Sequence, residues 1–518
     1  MSNGDEEKQI NHGFSQSQPE FKPQYQAPFS QDSDTEQEGT QVVVGSPDSE
    51  RDEANLIDWQ VEDAGHPRNW KTSRKWTAVA IVSAYTFMSP VSSSILAPSL
   101  EDIGHDLHIK SASVQSLCLS IFVLGFASGP LIFAPLSEMY GRRIVLHASH
   151  VLYLIFNCAC GFAQTTAQML AFRFLGGVGG SAALALGPGV LADLFSADQR
   201  GVSSGLYALF PMLGPALGPL CGGFITEYTT WRWGFWGTSI VDVPILTLGL
   251  VFLEETYPTV LIRWRKDKLV KQTGNTALFT PAERIQLPLT KQLGQALLRP
   301  MKLLTTQVII IVMGAYQAYL YGLIYLVLTT FPRLWTQDYG QSPSHAGLNY
   351  ISLGLGYCIG LQVASYVQDQ VYRILKKRNN GIGLPEFRLP LLIPAAILLP
   401  LGLFVYGWSA QHHTHWIVPN IGAFFIAASI MIGFNALMIY VVDSYATFAA
   451  SAAAATSVLR AACAFVFPLW APYLYEALGN GWGNSVLAFV AIGIGGPAPV
   501  LLWYYGARLR ARSRFCAE

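Results

Sequence analysis

The sequence is poor in charge. Only 13% of its 518 residues are Asp, Glu, Lys or Arg, whereas 51% are hydrophobic. A soluble domain carries about 25% charged residues, so roughly half of the usual charge is missing. This composition argues against a soluble enzyme and predicts a protein that lies largely within a membrane.

Signatures of cofactor or metal chemistry are also missing. The chain has no GxxxxGK[ST] phosphate loop, so nucleotide-driven pumping has no support. Its seven cysteines include no paired CxxC motifs, and the crowded His412, His413 and His415 have no partner ligands nearby in sequence. We therefore expect no enzymatic activity, no metal, no cofactor and no nucleic-acid partner.

The charge that remains is distributed unevenly. Residues 1–63 contain fifteen acids and three bases, which leaves eighteen acids and thirty bases for the rest of the chain. A segment rich in Gln, Ser, Pro and Glu cannot bury enough apolar surface to fold, so residues 1–70 are predicted to form a disordered, acidic cytoplasmic tail. The tail lacks the apolar core of a signal peptide and the Arg-rich, acid-poor character of a transit peptide.

Twelve apolar runs are long enough to cross about 30 Å of hydrocarbon, which takes about 20 residues. The predicted spans are 76–98, 114–136, 144–163, 166–193, 202–226, 233–253, 304–330, 345–366, 389–408, 416–440, 447–474 and 483–506. Lys and Arg mark cytoplasmic loops. With the N-terminus inside, the cytoplasmic segments hold twenty-five of these bases and the outer loops three, so both termini are predicted to be cytoplasmic.

The fold class predicted is therefore all-α and integral to the membrane, with two six-helix bundles at 71–253 and 304–506. Residues 254–303 form the predicted cytoplasmic central loop, and 507–518 form a basic cytoplasmic tail. Within the central loop, Thr280-Pro281-Ala282-Glu283 has the pattern of a capped helix start. We expect short surface helices here, the alternative being an unstructured basic linker.

A charge cluster closes the second span. The run from Gly129 to Arg143 places Glu138 at the negative end of a helix dipole, where an acid needs a compensating partner such as Arg142. Gly129 permits close backbone approach. Together with Gly141 and Arg143, these residues are candidates for a conformational latch, the alternative being an ordinary charged loop.

The fifth span combines glycine with proline in a way that soluble helices do not tolerate. Glycines at a spacing of four permit tight helix contact, and prolines bend the helix. This pattern fits a hinge or a seal, and equally fits simple packing. The residues concerned are Gly214, Pro215, Gly218, Pro219, Gly222 and Gly223.

Three charged residues stand out inside predicted spans, where each costs at least about 2.5–3.5 kcal/mol and marks a functional candidate. Asp242 lies near the middle of span 6 and is either a proton carrier or a structural acceptor. Arg173, in span 4, cannot readily release a proton, but it can tune an acid or hold an anionic group. Arg460 lies in span 11.

A candidate substrate cavity is indicated by aromatic and amide side chains that lie within the second half. Aromatic and amide groups without dense charge suit a greasy organic ligand better than a phosphate or an ion. The candidates are Tyr316, Gln317, Tyr319, Tyr321, Asn349, Asn435 and Arg460.

These motifs together resemble the major facilitator superfamily, and specifically the twelve-span drug:proton antiporters common in fungi. Residues 129–143 resemble its loop 2–3 signature, with Glu138 in place of the commoner Asp; 172–180 resemble its span-4 signature, and 205–223 its span-5 antiporter motif. The resemblance covers roughly 57–506. It implies alternating access by rocking of two bundles, with proton entry driving export and Arg173 associated with proton transfer.

On this basis we expect a monomeric, proton-driven exporter of hydrophobic or amphipathic organic compounds, such as drugs, toxins or a secondary metabolite, in the plasma membrane. The vacuolar membrane is the alternative location. The alternative functions are an importer of a small nutrient, a polyamine exporter, and a non-transporting membrane receptor.

Overall fold

The computed structural model describes residues 55–60, 62–196, 199–284, 289–445, 449–511 and 513. Long helices dominate it, and the membrane-spanning ones are numbered here α1 to α12. They are Thr72–Ser94 (α1), Ala112–Tyr140 (α2), Arg142–Cys160 (α3), Thr166–Leu194 (α4), Arg200–Tyr228 (α5), Arg232–Phe252 (α6), Val308–Arg333 (α7), Tyr350–Arg378 (α8), Leu392–Gln411 (α9), Ile417–Ser444 (α10), 449–478 (α11) and 480–495 (α12), followed by Pro497–Ala511.

The last two spans form one nearly continuous helical segment, so only eleven separate spanning segments stand out by length and hydropathy in the described chain. Gly479 interrupts that segment, because its φ of 68° and ψ of 177° are not helical. Tyr319 of α7 packs against the Phe467 ring at 6.1 Å and also donates a hydrogen bond to the Leu487 carbonyl at 2.5 Å. A straight helix would separate residues 467 and 487 by about 30 Å, so the chain reverses at Gly479 and the twelve predicted spans are confirmed.

The helix surfaces fit a hydrocarbon environment. On α6, for example, large apolar side chains are more than half exposed, including Ile240 at 61% and Val251 at 66%. Such a surface would be unfavourable in water but is suited to lipid.

Several helices extend beyond the predicted apolar runs. For example, α8 continues to Arg378, where Lys376, Lys377 and Arg378 complement the negative helix end.

The helices form two bundles, α1–α6 and α7–α12, which meet mainly in one half of the membrane. We call the end that carries Arg142, Arg388 and Arg510 the basic face. Hydrogen bonds between the bundles lie in the middle or at the opposite face: Ser93 to Tyr325 at 3.4 Å, Ser113 to the Leu469 carbonyl at 2.5 Å, Gln337 to Glu101 at 2.5 Å, and the Ser344 N–H to Glu227 at 2.8 Å.

The opposite face holds a wide cavity between the two bundles, with a volume of about 710 Å³. Its walls include Glu101 and Asp102 after α1, Arg333 at the end of α7, Asp338 after α7, and Glu476 of α11. The charged groups of this lining are mainly acidic, and the inter-bundle contacts near Ser93 and Tyr325 separate the cavity from the membrane middle.

The central segment is helical, with helices at Pro258–Thr273, Pro281–Arg284 and Leu289–Thr306. The predicted helix start is confirmed, because Glu283 accepts a hydrogen bond of 2.9 Å from the Thr280 backbone N–H. This reciprocal bond satisfies a donor that a helix start otherwise leaves free.

Part of the predicted disordered tail is in fact ordered. Residues 55–60 and 62–70, which we call the strap, lie on the central segment: Leu56 forms a β-bridge with Phe279, and Asp63 pairs with Arg265. The Trp59 indole donates to the Pro258 carbonyl at 3.3 Å. The prediction of disorder is therefore wrong for the strap, because its apolar and charged side chains have partners that are distant in sequence. The rest of the predicted tail lies outside the described residues.

Candidate functional site

The turn between α2 and α3 is organised by an acid from another part of the chain. Gly141 connects the two helices with a φ of 99°, a conformation that favours glycine. Glu255, only 3% exposed, accepts hydrogen bonds from the backbone N–H groups of Arg142 (2.8 Å) and Arg143 (3.0 Å). Its carboxylate thus compensates the positive end of α3.

Arg142 has a different partner from the one expected. Its Nε lies 3.4 Å from Asp193 Oδ2 on α4, its Nη1 donates to Ser137 at 2.5 Å, and its guanidinium stacks over the Tyr257 ring at 4.8 Å. Glu138 is exposed and affects Arg142 only through longer-range electrostatics. The expectation that Arg142 pairs with Glu138 is therefore replaced by an Arg142–Asp193 pair, which ties α3 to α4 within one bundle.

The second bundle carries a similar arrangement at the start of α9. Arg388 bonds to Asp443 of α10 at 3.0 Å and to Asp369 of α8 at 3.1 Å. Glu386 accepts two hydrogen bonds from Arg510, at 3.0 and 2.8 Å. Each bundle thus has an arginine, at or just before the start of its third helix, paired with an aspartate near the end of its fourth.

The glycine stripe of α5 brings this helix into contact with α1 over three turns. A Cβ on Gly214 would lie 2.9 Å from the Val91 nitrogen, one on Gly218 2.7 Å from the Val91 carbonyl, and one on Gly222 3.1 Å from the Ile95 carbonyl carbon. These distances leave no space for a side chain. Similarly, a Cβ on Gly129 of α2 would lie 2.7 Å from the Val178 carbonyl of α4.

The same helix also contributes to the contact between bundles. A Cβ on Gly223 would lie 3.1 Å from the Gly347 Cα, and the Pro219 carbonyl is close to Gly347 as well. Pro215 lines the central cavity described below. The span-5 motif therefore packs against α1 on one side and seals the bundles against each other on another.

Asp242 is fully buried and has a partner that the sequence interpretation missed. Its Oδ1 lies 2.8 Å from His150 Nε2 of α3, both side chains are at most 2% exposed, and Asp242 Oδ2 has no partner among the described residues. The Tyr85 ring stacks on His150 at 3.9 Å, and the Tyr85 hydroxyl lies 3.1 Å from His147 Nδ1. A histidine within a span was the available signal for this site.

Arg173 is buried away from any carboxylate within the described chain. It is 1% exposed and donates to the carbonyls of Ser92 (2.9 Å), Ser93 (3.0 Å) and Cys118 (3.1 Å). Its connection to Asp242 is indirect. Ser92 also bonds to Asn157, and Asn157 donates at 2.9 Å to Ser239, which lies one helical turn before Asp242.

A small cavity lies between the bundles near the middle of the membrane, with a volume of about 40 Å³. It is too small for an organic ligand, so the walls must separate before one can bind. The cavity is lined by Pro211, Met212, Pro215, Tyr321, Ile324, Tyr325, Tyr357, Met431 and Phe434. Arg460 of α11 lies beside it, 5.1 Å from the Tyr321 ring and 5.2 Å from the Phe434 ring.

The other predicted cavity residues are more distant or more enclosed. Tyr316 and Tyr319 are buried against α12, and Gln317 is fully buried with an amide that has no partner among the described residues. Asn435 donates to Gln368 at 3.3 Å, while Asn349 joins Gln341 and Asn420 near the opposite face. Tyr321 and Arg460 are thus the two predicted residues that the fold brings together at the cavity.

Comparison with known proteins places these features in context. A model described as Major Facilitator Superfamily matches residues 82–468. The chain is 47% identical to the efflux pump vrtL of Penicillium aethiopicum over 91% of this chain and 93% of that protein. It is 39% identical to the efflux pump radE of Floropilus chiversii over 92% and 90%.

Among solved structures, the fold matches the xylose transporter XylE from E. coli in a partially occluded inward-open conformation. The TM-score is 0.62 with 16% identity, over 84% of this chain and 98% of that one. At this identity the match supports the twelve-helix fold alone.

Proposed function

Since this chain belongs to the major facilitator superfamily and is closely related to fungal efflux pumps, we propose that it exports hydrophobic or amphipathic organic compounds by proton-coupled alternating access. Secondary metabolites are the leading substrate class, and the plasma membrane is the proposed location. In this proposal, residues 71–253 and 304–506 are the two bundles that rock, and the basic face is the cytoplasmic one.

The observation that carries the proton-coupling proposal is the buried His150–Asp242 pair. With neutral histidine and ionised aspartate, the pair has a net charge of −1 in a region of low dielectric constant, where an isolated charge is costly. Binding one proton removes that net charge. The pair therefore suits a site that takes up a proton from the outside and must release it before the cycle repeats.

A connection from this pair toward the basic face supports proton release to the cytoplasm. Tyr85 contacts both histidines, and His147 lies one turn closer than His150 to Arg143 at that face. An imidazole has one nitrogen that donates a hydrogen bond and one that accepts, which suits a relay position. In this proposal Asp242 and His150 hold the proton, and His147 with Tyr85 transfers it.

The central cavity is the proposed substrate site. It lies where α5 meets α7, α8 and α10, and its wall combines methionines, prolines and aromatic rings. Such walls adapt to varied organic molecules. The Ser93–Tyr325 contact between the bundles separates the central cavity from the wide cavity at the opposite face. In this proposal the substrate therefore enters from the basic face.

Efflux of Nile red, an uncharged amphipathic dye, tests the proposal. The chain with a fluorescent tag is expressed in yeast cells that lack their own multidrug pumps, and retained dye is followed after glucose addition. We expect faster efflux than in control cells, abolished by a protonophore, with the tag at the plasma membrane. Efflux that is not accelerated, or is insensitive to the protonophore, would contradict the proposal.

A further inference from the structure

Arg460 differs from the other buried arginines in its contacts. Arg142, Arg388 and Arg510 each pair with a carboxylate, and Arg173 donates to backbone carbonyls. Arg460 is half-buried near the middle of α11, and within the described chain it takes part in no ion pair or side-chain hydrogen bond. Its contacts are the faces of two rings, Tyr321 and Phe434.

The described surroundings of Arg460 do not supply the missing counter-charge. Among the described residues, the titratable groups that act on it electrostatically are the hydroxyls of Tyr321 and Tyr325. The described lining of the central cavity is likewise uncharged. A guanidinium without an anion is unfavourable in the membrane interior, and a bound anion would relieve that cost.

The rings beside Arg460 indicate what kind of anion fits. The Tyr321 and Phe434 centroids are 6.3 Å apart with planes at 32°, and Tyr321 and Tyr325 are 5.5 Å apart. Aromatic rings at such distances accept a further ring by edge or offset contact. Met212 and Met431 add adaptable apolar surface to the cavity wall.

We propose that this exporter recognises organic anions: amphipathic aromatic compounds whose acidic group pairs with Arg460 and whose ring packs against Tyr321 and Phe434. This inference rests on the proposed function and names its substrate class. It also argues against polyamines, because a cationic substrate would be repelled by an uncompensated guanidinium.

An anionic substrate changes the charge moved in each cycle. Exchange of one entering proton for one neutral molecule carries one positive charge inward. Exchange of one proton for one monovalent anion carries the equivalent of two positive charges inward. Transport of an anion therefore responds more steeply to membrane potential than transport of its neutral analogue.

The test uses two probes with the same fluorescent ring system, 5-(dimethylamino)naphthalene-1-sulfonate (dansylate) and the uncharged dansylamide. Binding to the purified full chain in lipid nanodiscs is measured by fluorescence and by displacement of Nile red. We expect dansylate to bind more tightly than dansylamide. Arg460→Gln should weaken dansylate binding about 30-fold or more and dansylamide binding less than about threefold.

Two matched variants separate charge from packing. Arg460→Lys keeps the positive charge and should restore most of the dansylate affinity. Phe434→Leu keeps an apolar side chain but removes the ring, and it should weaken both probes alike. A thermal unfolding midpoint close to that of the unmodified chain shows that each variant is folded.

Charge movement gives an independent measurement. In proteoliposomes, the charge carried per dansylate should be twice that carried per dansylamide. Equal affinity for the two probes, an equal effect of Arg460→Gln on both, or failure of dansylate to displace Nile red would overturn the anion proposal. If Nile red efflux itself is absent, the proposed export function fails instead, so the two failures are distinguishable.

Discussion

The carboxylate of Glu255 occupies the space into which a side chain on Gly141 would project: a Cβ there would lie 2.7 Å from the Glu255 carboxyl carbon. The turn between α2 and α3 therefore requires glycine for two reasons, its φ of 99° and this contact. Glu255, which follows α6, thus contacts the turn between α2 and α3, more than one hundred residues earlier in the chain.

Gly141→Ala should destabilise the protein by about 1–3 kcal/mol. Position 141 is held in a backbone conformation that is unfavourable for alanine, and the added methyl group would displace the Glu255 carboxylate. The measurement is the thermal unfolding midpoint of the purified chain in detergent. Gly237→Ala is the control, since no atom beyond the neighbouring backbone of its own helix lies within 4 Å of the added Cβ. Equal midpoints for the two variants would argue against a structural role for this turn.

Arg142→Ala and Asp193→Ala should each shift the equilibrium between inward-open and outward-open states without abolishing substrate binding. The two side chains are 12% and 13% exposed and bonded to each other, so their effects should be non-additive by about 0.5–3 kcal/mol in a double-mutant cycle. Cysteine accessibility on either face reports the equilibrium, and Nile red binding reports the site.

Glu138→Gln provides the matched control for that cycle, because Glu138 is exposed and shares no described hydrogen bond with Arg142. We expect it to have a smaller effect than Asp193→Ala. A larger effect of Glu138→Gln would instead support the Glu138–Arg142 pairing expected from the sequence. Loss of Nile red binding in Arg142→Ala would mean that the cluster contributes to substrate binding or to the stability of the fold.

Asp242→Asn and His150→Gln should both block uphill efflux while preserving binding or downhill exchange, because each removes one member of the buried pair. Efflux driven by an imposed pH gradient in proteoliposomes is the measurement. His105→Gln is the control, since the His105 side chain is 92% exposed. Normal gradient-driven efflux by Asp242→Asn would show that Asp242 has only a structural role. The candidates for proton coupling would then be Glu138, Asp193 and Asp443.

Attachment of the strap should depend on pH through Asp63. The Gly65 backbone N–H and then Arg265 lower the pKa of Asp63 below its ordinary 3.8. A lowered pKa in the folded state means that the contribution to stability is present above pH 3.8 and is lost as the pH falls through the lowered value. Hydrogen exchange of the strap should therefore stay slow at neutral pH, and Asp63→Asn should accelerate it there.

Deletion of residues 1–50 should leave efflux per molecule at the membrane unchanged, because the segment is acidic and lacks periodic apolar residues. Deletion of 1–70 should differ, since it removes the strap and its contacts with Phe279 and Arg265. Nile red efflux normalised to surface protein compares the two. Loss of efflux from the shorter deletion would show that the tail itself takes part in transport.

The sequence was informative where a local property decides the structure. Apolar length and the placement of Lys and Arg predicted twelve spans, and the capping pattern at Thr280 predicted a helix start. It was wrong for the strap, where Leu56 and Asp63 have partners some two hundred residues away. Composition indicates whether a segment can form a hydrophobic core of its own. The strap forms none and is ordered instead by binding to the central segment.

For the candidate site, the sequence by itself determined which charged residues are costly inside the membrane: Asp242, Arg173 and Arg460 are candidates for that reason. Only the tertiary structure decided their partners. In the structure His150 is hydrogen-bonded to Asp242, Arg173 donates to backbone carbonyls, and Arg460 contacts the faces of aromatic rings. Helix periodicity fixes the face on which a residue lies, but helix packing fixes which groups it meets. Hydrogen bonds and ion pairs form only between groups that this packing brings within a few ångströms of each other.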